Sequence, residues 1–194
     1  TGTHWACQSR DVTPDILTLS KGFGGGYVPL GAVVAKDEIV EAVLDAGGFQ
    51  HGFTYAGNPL ACAAGSAVLT EIETAGLVAN AAAMGALLKG RLEGLMARYP
   101  FIGDVRGKGL LLAFELVADR ETMTPLPKEL NAHSRLVDIA YDHGLIIYSR
   151  RTRGGLEGDH FLVCPPLIVT EAQIDEISGV LDGTTVRGTI DLDT

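Results

Sequence analysis

A lysine set directly between a short apolar run and a cluster of glycines constrains this chain more than any other feature. Residues Asp15 to Ser20 read as a strand entered through Pro14, and the pattern stops at Lys21, Gly22 and the run Gly24 to Gly26. A second apolar strand is expected over Gly31 to Ala35, so the lysine lies in a tight connection between two strands. At the end of a buried strand its stem would be in the core and its amine would open into a cleft. Desolvation there favours the neutral amine, a nucleophile toward carbonyl groups. A lysine at a strand end can equally snorkel to solvent, and position alone leaves both readings open. The glycines exclude two alternatives. Gly22, Gly24 and Gly26 miss the dinucleotide-binding spacing with no helix after them, and Lys21 precedes the glycines instead of following them as in a phosphate-binding P-loop.

The rest of the chain reads as alternating strands and helices. Asp37 is placed as the cap of a helix that carries Ile39, Val40, Val43 and Leu44 on one face and ends at Gly47-Gly48. After a polar and aromatic loop from Gln50 to Asn58, Pro59 opens an alanine-rich helix to about Thr74. A further helix from about Leu77 to Tyr99 carries Leu87, Leu88, Leu92, Leu95 and Met96 at helical spacing, and the small residues near its start suggest a close crossing with a neighbour. Shorter, strand-rich units follow Pro100: strands at Ile102 to Arg106 and Gly109 to Val117, a helix from about Asn131 to His143, and strands at Leu145 to Tyr148 and Phe161 to Val163. A last helix starts at Thr170, with Gln173 completing a capping box and Ile174, Ile177 and Leu181 on its apolar face. Glu121 to Lys128 and Arg150 to Asp159 read as loops, and the tail from Gly183 as poorly anchored. The change of pattern places a domain boundary near residue 98, giving units 1–98 and 99–194 in an α/β chain.

Composition narrows the function classes. Hydrophobic residues are 46% of 194 and charged residues 20%, a globular balance that suits a sheet covered by helices. A net charge of -9 offers no basic footprint for nucleic acid or anionic lipid, so neither is an expected partner. The apolar stretch around Leu110 to Phe114 is too short to span a bilayer. Cys7, Cys62 and Cys164 lack paired spacing, and the five histidines show no ligand spacing, so no disulfide framework or metal site is expected and the cytoplasm is the natural compartment. Ser20 beside Lys21 could suggest a hydrolytic pair, but neighbours on a strand point to opposite faces. Trp5 and Tyr27 could line a pocket or pack at a domain edge.

Four blocks carry a family resemblance. Pro14-Asp15-Ile16-Leu17-Thr18-Leu19-Ser20-Lys21-Gly22-Phe23-Gly24-Gly25-Gly26-Tyr27, with Pro29-Leu30-Gly31-Ala32, resembles the lysine segment of class III aminotransferases. His51-Gly52-Phe53-Thr54-Tyr55, then Gly57-Asn58-Pro59, resembles the family segment whose threonine binds the cofactor phosphate across a dimer interface. Val105-Arg106-Gly107-Lys108-Gly109-Leu110-Leu111 and Cys164-Pro165-Pro166-Leu167 with Thr170-Glu171 look like the two ends of the small C-terminal domain. The resemblance implies a fold-type-I transferase, here the end of the large domain joined to a small α+β domain. It implies pyridoxal 5'-phosphate held by Lys21 as an imine (a Schiff base), Thr54 as a phosphate ligand, and a homodimer. It also implies transfer of an amino group from an amine or amino acid to a keto acid. Without the resemblance Thr54 reads first as a turn-stabilising threonine.

The departures also inform. The family's aspartate for the pyridine nitrogen, its ring-stacking aromatic and its small phosphate cup are not recognisable, and neither Asp11 nor Asp15 takes the aspartate's role. The opening Thr1-Gly2-Thr3-His4-Trp5-Ala6 resembles residues just after that aspartate, so the N-terminal half is expected to be missing and the 194-residue piece inactive by itself. Leu162 stands where many members acting on α-amino acids carry arginine. Gly158-Asp159-His160 before Phe161 resembles omega-aminotransferases that use amines or omega-amino acids with pyruvate. Arg150, Arg151 and Arg153 could offer a guanidinium to a carboxylate or form a solvated basic patch. The alternatives are an aminomutase or decarboxylase of the same superfamily, or a noncatalytic remnant acting as an interaction partner.

Overall fold

The structure, a computed structural model, describes residues 1–152 and 157–190. The chain divides into two compact units, Trp5–Leu77 and a second made of Thr1–His4 with the chain from Val78 on.

In the first unit the strands β1 (Ile16–Leu19) and β2 (Ala32–Ala35) pair antiparallel, Ile16 opposite Ala35 and Leu19 opposite Ala32. Helix α1 (Asp37–Asp45) follows at once. Its cap is Lys36 and not Asp37: Asp37 is the first helical residue, where with Glu38 it puts negative charge at the positive end of the helix. Helix α2 (Pro59–Thr74) begins at Pro59 as its sequence predicts, and the Asn58 side chain accepts the Ala61 N–H at 3.0 Å. Among residues 5–77 only Gly24 and Gly65 are buried, and β1 alternates exposed with half-buried residues, Leu17 and Leu19 lying on the partly covered face.

The second unit holds the core. Helix α3 (Leu77–Arg98) buries Ala81, Leu88, Leu92 and Leu95 along one stripe. A sheet of β3 (Ile102–Lys108), β4 (Leu111–Asp119), β6 (Tyr148–Thr152) and β7 (Glu157–Val163) runs in the order β3-β4-β7-β6, with the short β5 (Thr124–Pro125) beside β4. All its pairings are antiparallel. Helices α4 (Ala132–Asp142) and α5 (Glu171–Ile190) complete the unit. Alternation along the strands sends Leu112, Phe114 and Leu116 of β4 and Phe161 and Val163 of β7 into one cluster with Leu88, Leu136, Ile174 and Leu181. Phe114 and Phe161 stack at its centre, 4.9 Å between ring centroids.

Glycines allow the closest approaches. A Cβ at Gly85 of α3 would lie 2.3 Å from the Gly109 carbonyl carbon, so the helix rests on the backbone of the β3–β4 turn, the close crossing its small residues predict. Asn80 on the same helix donates to Leu167 O at 2.7 Å and Val169 O at 3.0 Å, tying the Pro-Pro turn to α3.

Several expectations shift. The units divide at Leu77, upstream of the boundary placed near residue 98, because the apolar stripe of α3 packs into the C-terminal core. The strand expected over Leu145 to Tyr148 begins only at Tyr148, and the loop expected from Arg150 to Asp159 is largely the two strands of a hairpin. Thr124–Pro125 forms a short strand inside the expected loop 121–128. The backbone from Gly183 remains helical to Ile190. The capping box is present: Gln173 N–H donates to Thr170 Oγ1 and Thr170 N–H to Gln173 Oε1.

Candidate functional site

Lys21 begins a single 3-10 turn, Lys21–Gly24, directly after β1. Ser20 before it is extended, whereas Lys21 has φ 57, in the left-handed region that a side chain with a Cβ rarely adopts. Hydrogen bonds from Phe23 N to Ser20 O, Gly25 N to Gly22 O and Tyr27 N to Gly24 O close the turn. Helix α2 clamps it. A Cβ at Gly65 would come within 2.4 Å of Leu30 Cδ2, and one at Gly25 within 2.7 Å of Val68 Cγ2, so a side chain at either position would push one of these methyl groups aside. The lysine is therefore displayed from a turn that its own hydrogen bonds close and α2 packs against.

The stem of Lys21 is not in a core: the residue is exposed, directly after a strand whose Leu17 and Leu19 are only half-buried. Its amine makes no hydrogen bond or ion pair among the described residues. By contrast Lys36, at the end of β2, is spent on Asp15, which this pairing holds below the usual carboxylate range.

Thr54 lies in a turn closed by Ala56 N to Phe53 O at 2.9 Å, followed by Asn58 N to Tyr55 O at 3.0 Å. It is exposed, and its hydroxyl has no partner among the described residues. No hydrogen bond joins Thr54 to Lys21. Aromatic side chains surround the turn: Phe53 and Tyr55 are exposed, and the His51 and Phe53 rings meet edge to face at 5.1 Å. Tyr27 is exposed and Trp5 half-buried.

The three arginines separate. Arg151 Nε donates to Asp159 Oδ1 at 3.1 Å, with both side chains covered. Arg150 is exposed with its guanidinium over the Tyr148 ring at 5.0 Å, and Arg153 lies outside the described residues. Elsewhere on the sheet Arg106 pairs with Asp104 and Glu115. Cys7, Cys62 and Cys164 are free thiols, and burial pushes the Cys164 thiol up. The cap role of Asn58, the bridging role of Asn80 and the ion pair of Asp159 were not read from the sequence. Asn58 had a signal, since an asparagine before a helix-opening proline is a cap pattern, while Asn80 and Asp159 depend on partners distant in sequence.

The profile of the family described as Aminotransferase class-III matches residues 1–184. The chain belongs to the class III aminotransferases. It is 37% identical over 186 residues to an uncharacterized aminotransferase, C1771.03c, of Schizosaccharomyces pombe, covering 95% of this chain and 40% of that one. It is 38% identical over 183 residues to an isoleucine 2-epimerase of Lentilactobacillus buchneri, covering 94% and 38%. A crystal structure of an (S)-enantioselective omega-transaminase from Thermomicrobium roseum superposes with a TM-score of 0.86 at 37% identity, over 97% of this chain and 40% of that one. The chain thus spans about two fifths of the relatives it matches and has the fold of the corresponding part of the fold-type-I transaminases.

Proposed function

We propose that this chain is the part of a pyridoxal 5'-phosphate-dependent aminotransferase that carries the cofactor lysine, Lys21. The observation behind this reading is the lysine itself, held at φ 57 on a clamped turn with its amine unpaired among the described residues. A primary amine and a threonine hydroxyl, each unpaired among the described residues, fit two of the contacts that a phosphorylated aldehyde takes, covalent attachment and one phosphate donor.

When bound, the cofactor supplies an electron-poor ring that stabilises negative charge on the substrate carbon losing a proton. Lys21 Nζ would hold it covalently. The same Nζ, when not holding the cofactor, would take up the proton lost by the substrate carbon and deliver it elsewhere. Thr54 Oγ1 donates to the phosphate, in our reading that of a second copy, so each site of a homodimer draws on two chains. The donor class is an amine or omega-amino acid and the acceptor a keto acid such as pyruvate, in line with Leu162 at the position where α-carboxylate users carry arginine. By this reading the 194-residue chain alone is inactive, and the free thiols favour the cytoplasm.

Likeness to an isoleucine 2-epimerase supports a second reading, in which Nζ returns the proton to the carbon it came from. Net appearance of an amino acid from the keto acid separates the two reactions. The first reading is tested by incubating the protein with pyridoxal phosphate, reducing with borohydride and mapping peptides by mass spectrometry. An adduct confined to Lys21 supports it, and a folded protein labelled only at other lysines overturns it.

A further inference from the structure

Arg150 and Arg151 are adjacent and chemically identical, so nothing local decides which of them the β6–β7 hairpin turns outward. Side chains alternate along a strand, and a slip of one residue in pairing would exchange the two. The ladder pairs Tyr148 with Leu162, Ser149 with Phe161 and Arg150 with His160. One further step of that register sets Arg151 opposite Asp159. The pairing then shifts by one before Thr152 and Glu157, across Gly158 at φ 75, a left-handed conformation suited to a bulge. The hairpin is therefore irregular next to the tandem arginines, where its register is most easily lost.

Asp159 is buried, with a side chain 2% exposed, and its carboxylate faces the core side of the sheet beside Phe161. Its Oδ1 accepts from Arg151 Nε at 3.1 Å and from the His133 N–H in the first turn of α4 at 3.1 Å, and the His133 ring Nδ1 stands 3.4 Å away. Arg151 Nη2 reaches Lys128 O at 3.4 Å. A buried carboxylate without a cation is costly, so Asp159 favours a cation beside it, the place that Arg151 takes. The opposite face offers no such claim. His160 lies across from Arg150, and Glu115, the next residue in that row, is already paired with Arg106.

We propose that Asp159 is a positioning residue that selects between the two arginines, capturing Arg151 so that Arg150 is the guanidinium presented on the outer face of the C-terminal sheet. Arg150 is then the arginine of this pair that a carboxylate-bearing ligand can reach, and Arg151 is structural. The selection rests on the fold alone and stands whether or not Lys21 carries a cofactor.

The test is brief treatment of the folded chain with phenylglyoxal, an arginine-selective reagent, followed by chymotryptic mapping of residues 148–163. Arg150 is expected to react roughly tenfold faster than Arg151 or more, the protection that a locally closed, buried contact gives. Asp159→Asn is expected to bring the Arg151 rate up toward that of Arg150. Arg150→Met, which changes no buried group, should remove the fast adduct while leaving Arg151 protected. Equal rates at the two arginines in the unaltered chain, or a fast adduct at Arg151 in Arg150→Met, would overturn the assignment.

Discussion

Tyr99 Oη donates to Asp182 Oδ1 at 2.5 Å while the neighbouring Arg98 donates to Asp182 Oδ2 at 2.5 Å, so one carboxylate of α5 gathers two consecutive residues from the end of α3. The Tyr99 hydrogen bond first, and Arg98 with it, holds the Asp182 carboxyl below its usual range. Burial pushes the Tyr99 hydroxyl up, and its bond to Asp182 adds to this. The signs give a two-sided pH profile. Asp182 stabilises the fold above its unfolded value of about 3.9, and that contribution is lost as pH falls through the lower folded value. The Tyr99 contribution is present below its unfolded value of about 10 and is lost as pH rises through the higher folded value. Tyr99→Phe should remove part of both arms and cost about 1 kcal/mol at neutral pH. Urea titrations between acid and alkaline pH check this, and a variant profile that parallels the original would argue against the pairing.

Gly85 separates helix propensity from packing. Gly90 and Gly94 on the same helix have open space where a Cβ would go, so replacing either by alanine should stabilise by about 0.5–1 kcal/mol. Gly85→Ala should instead destabilise by about 1–3 kcal/mol or more, because the added carbon meets the backbone of Gly109. Thermal unfolding of the three variants decides it, and three changes of one sign would mean α3 does not rest on that turn.

The left-handed conformation of Lys21 sets function against stability. A residue with a Cβ there costs about 1–2 kcal/mol in conformational strain, partly offset in glycine by its greater unfolded-state freedom. Lys21→Gly should therefore leave stability unchanged or raise it by up to about 1 kcal/mol, while abolishing borohydride-stable attachment of pyridoxal phosphate. A clear loss of stability in this variant would show that the lysine stem contributes to packing.

Thr54→Ala should leave Lys21 reactive but weaken cofactor retention by about 1–3 kcal/mol, the worth of a hydrogen bond to a charged phosphate. Equilibrium dialysis of the holoprotein measures it, and unchanged affinity would remove Thr54 from the site.

Hydrogen exchange should divide the chain at Leu77. With only Gly24 and Gly65 buried among residues 5–77, the amides of α2 are expected to exchange well before those of α3, whose Leu88 and Leu92 lie in the core. Equal protection in the two helices would mean that the first unit is stabilised by more than its own packing.

Local chemistry was legible in the sequence wherever a few neighbouring residues suffice. Pro59 at a helix start, Thr170 with Gln173, and the apolar stripe of α3 were all readable, because capping and helical periodicity are set within a turn or two. The lysine segment was readable as well, since a strand stopped by glycines is a local pattern. Asp37 was misplaced as a cap by one residue because an acidic side chain suits both the cap and the first turn. The hairpin of β6 and β7 was hidden because its strands are polar along part of their length; pairing with β4 decides β7, and pairing with β7 decides β6.

By itself the sequence determined the family and most of the order of elements, and it singled out Lys21 as the residue to test, because each rests on spacing within a short segment. Only the tertiary structure decided that α3 belongs to the C-terminal core, that Lys21 stands exposed on a turn clamped by Gly65, and that Arg151 is captured while Arg150 is not. Those outcomes depend on which surfaces meet across long stretches of chain: a buried carboxylate at Asp159 and a missing Cβ at Gly85 act on partners that no local pattern names.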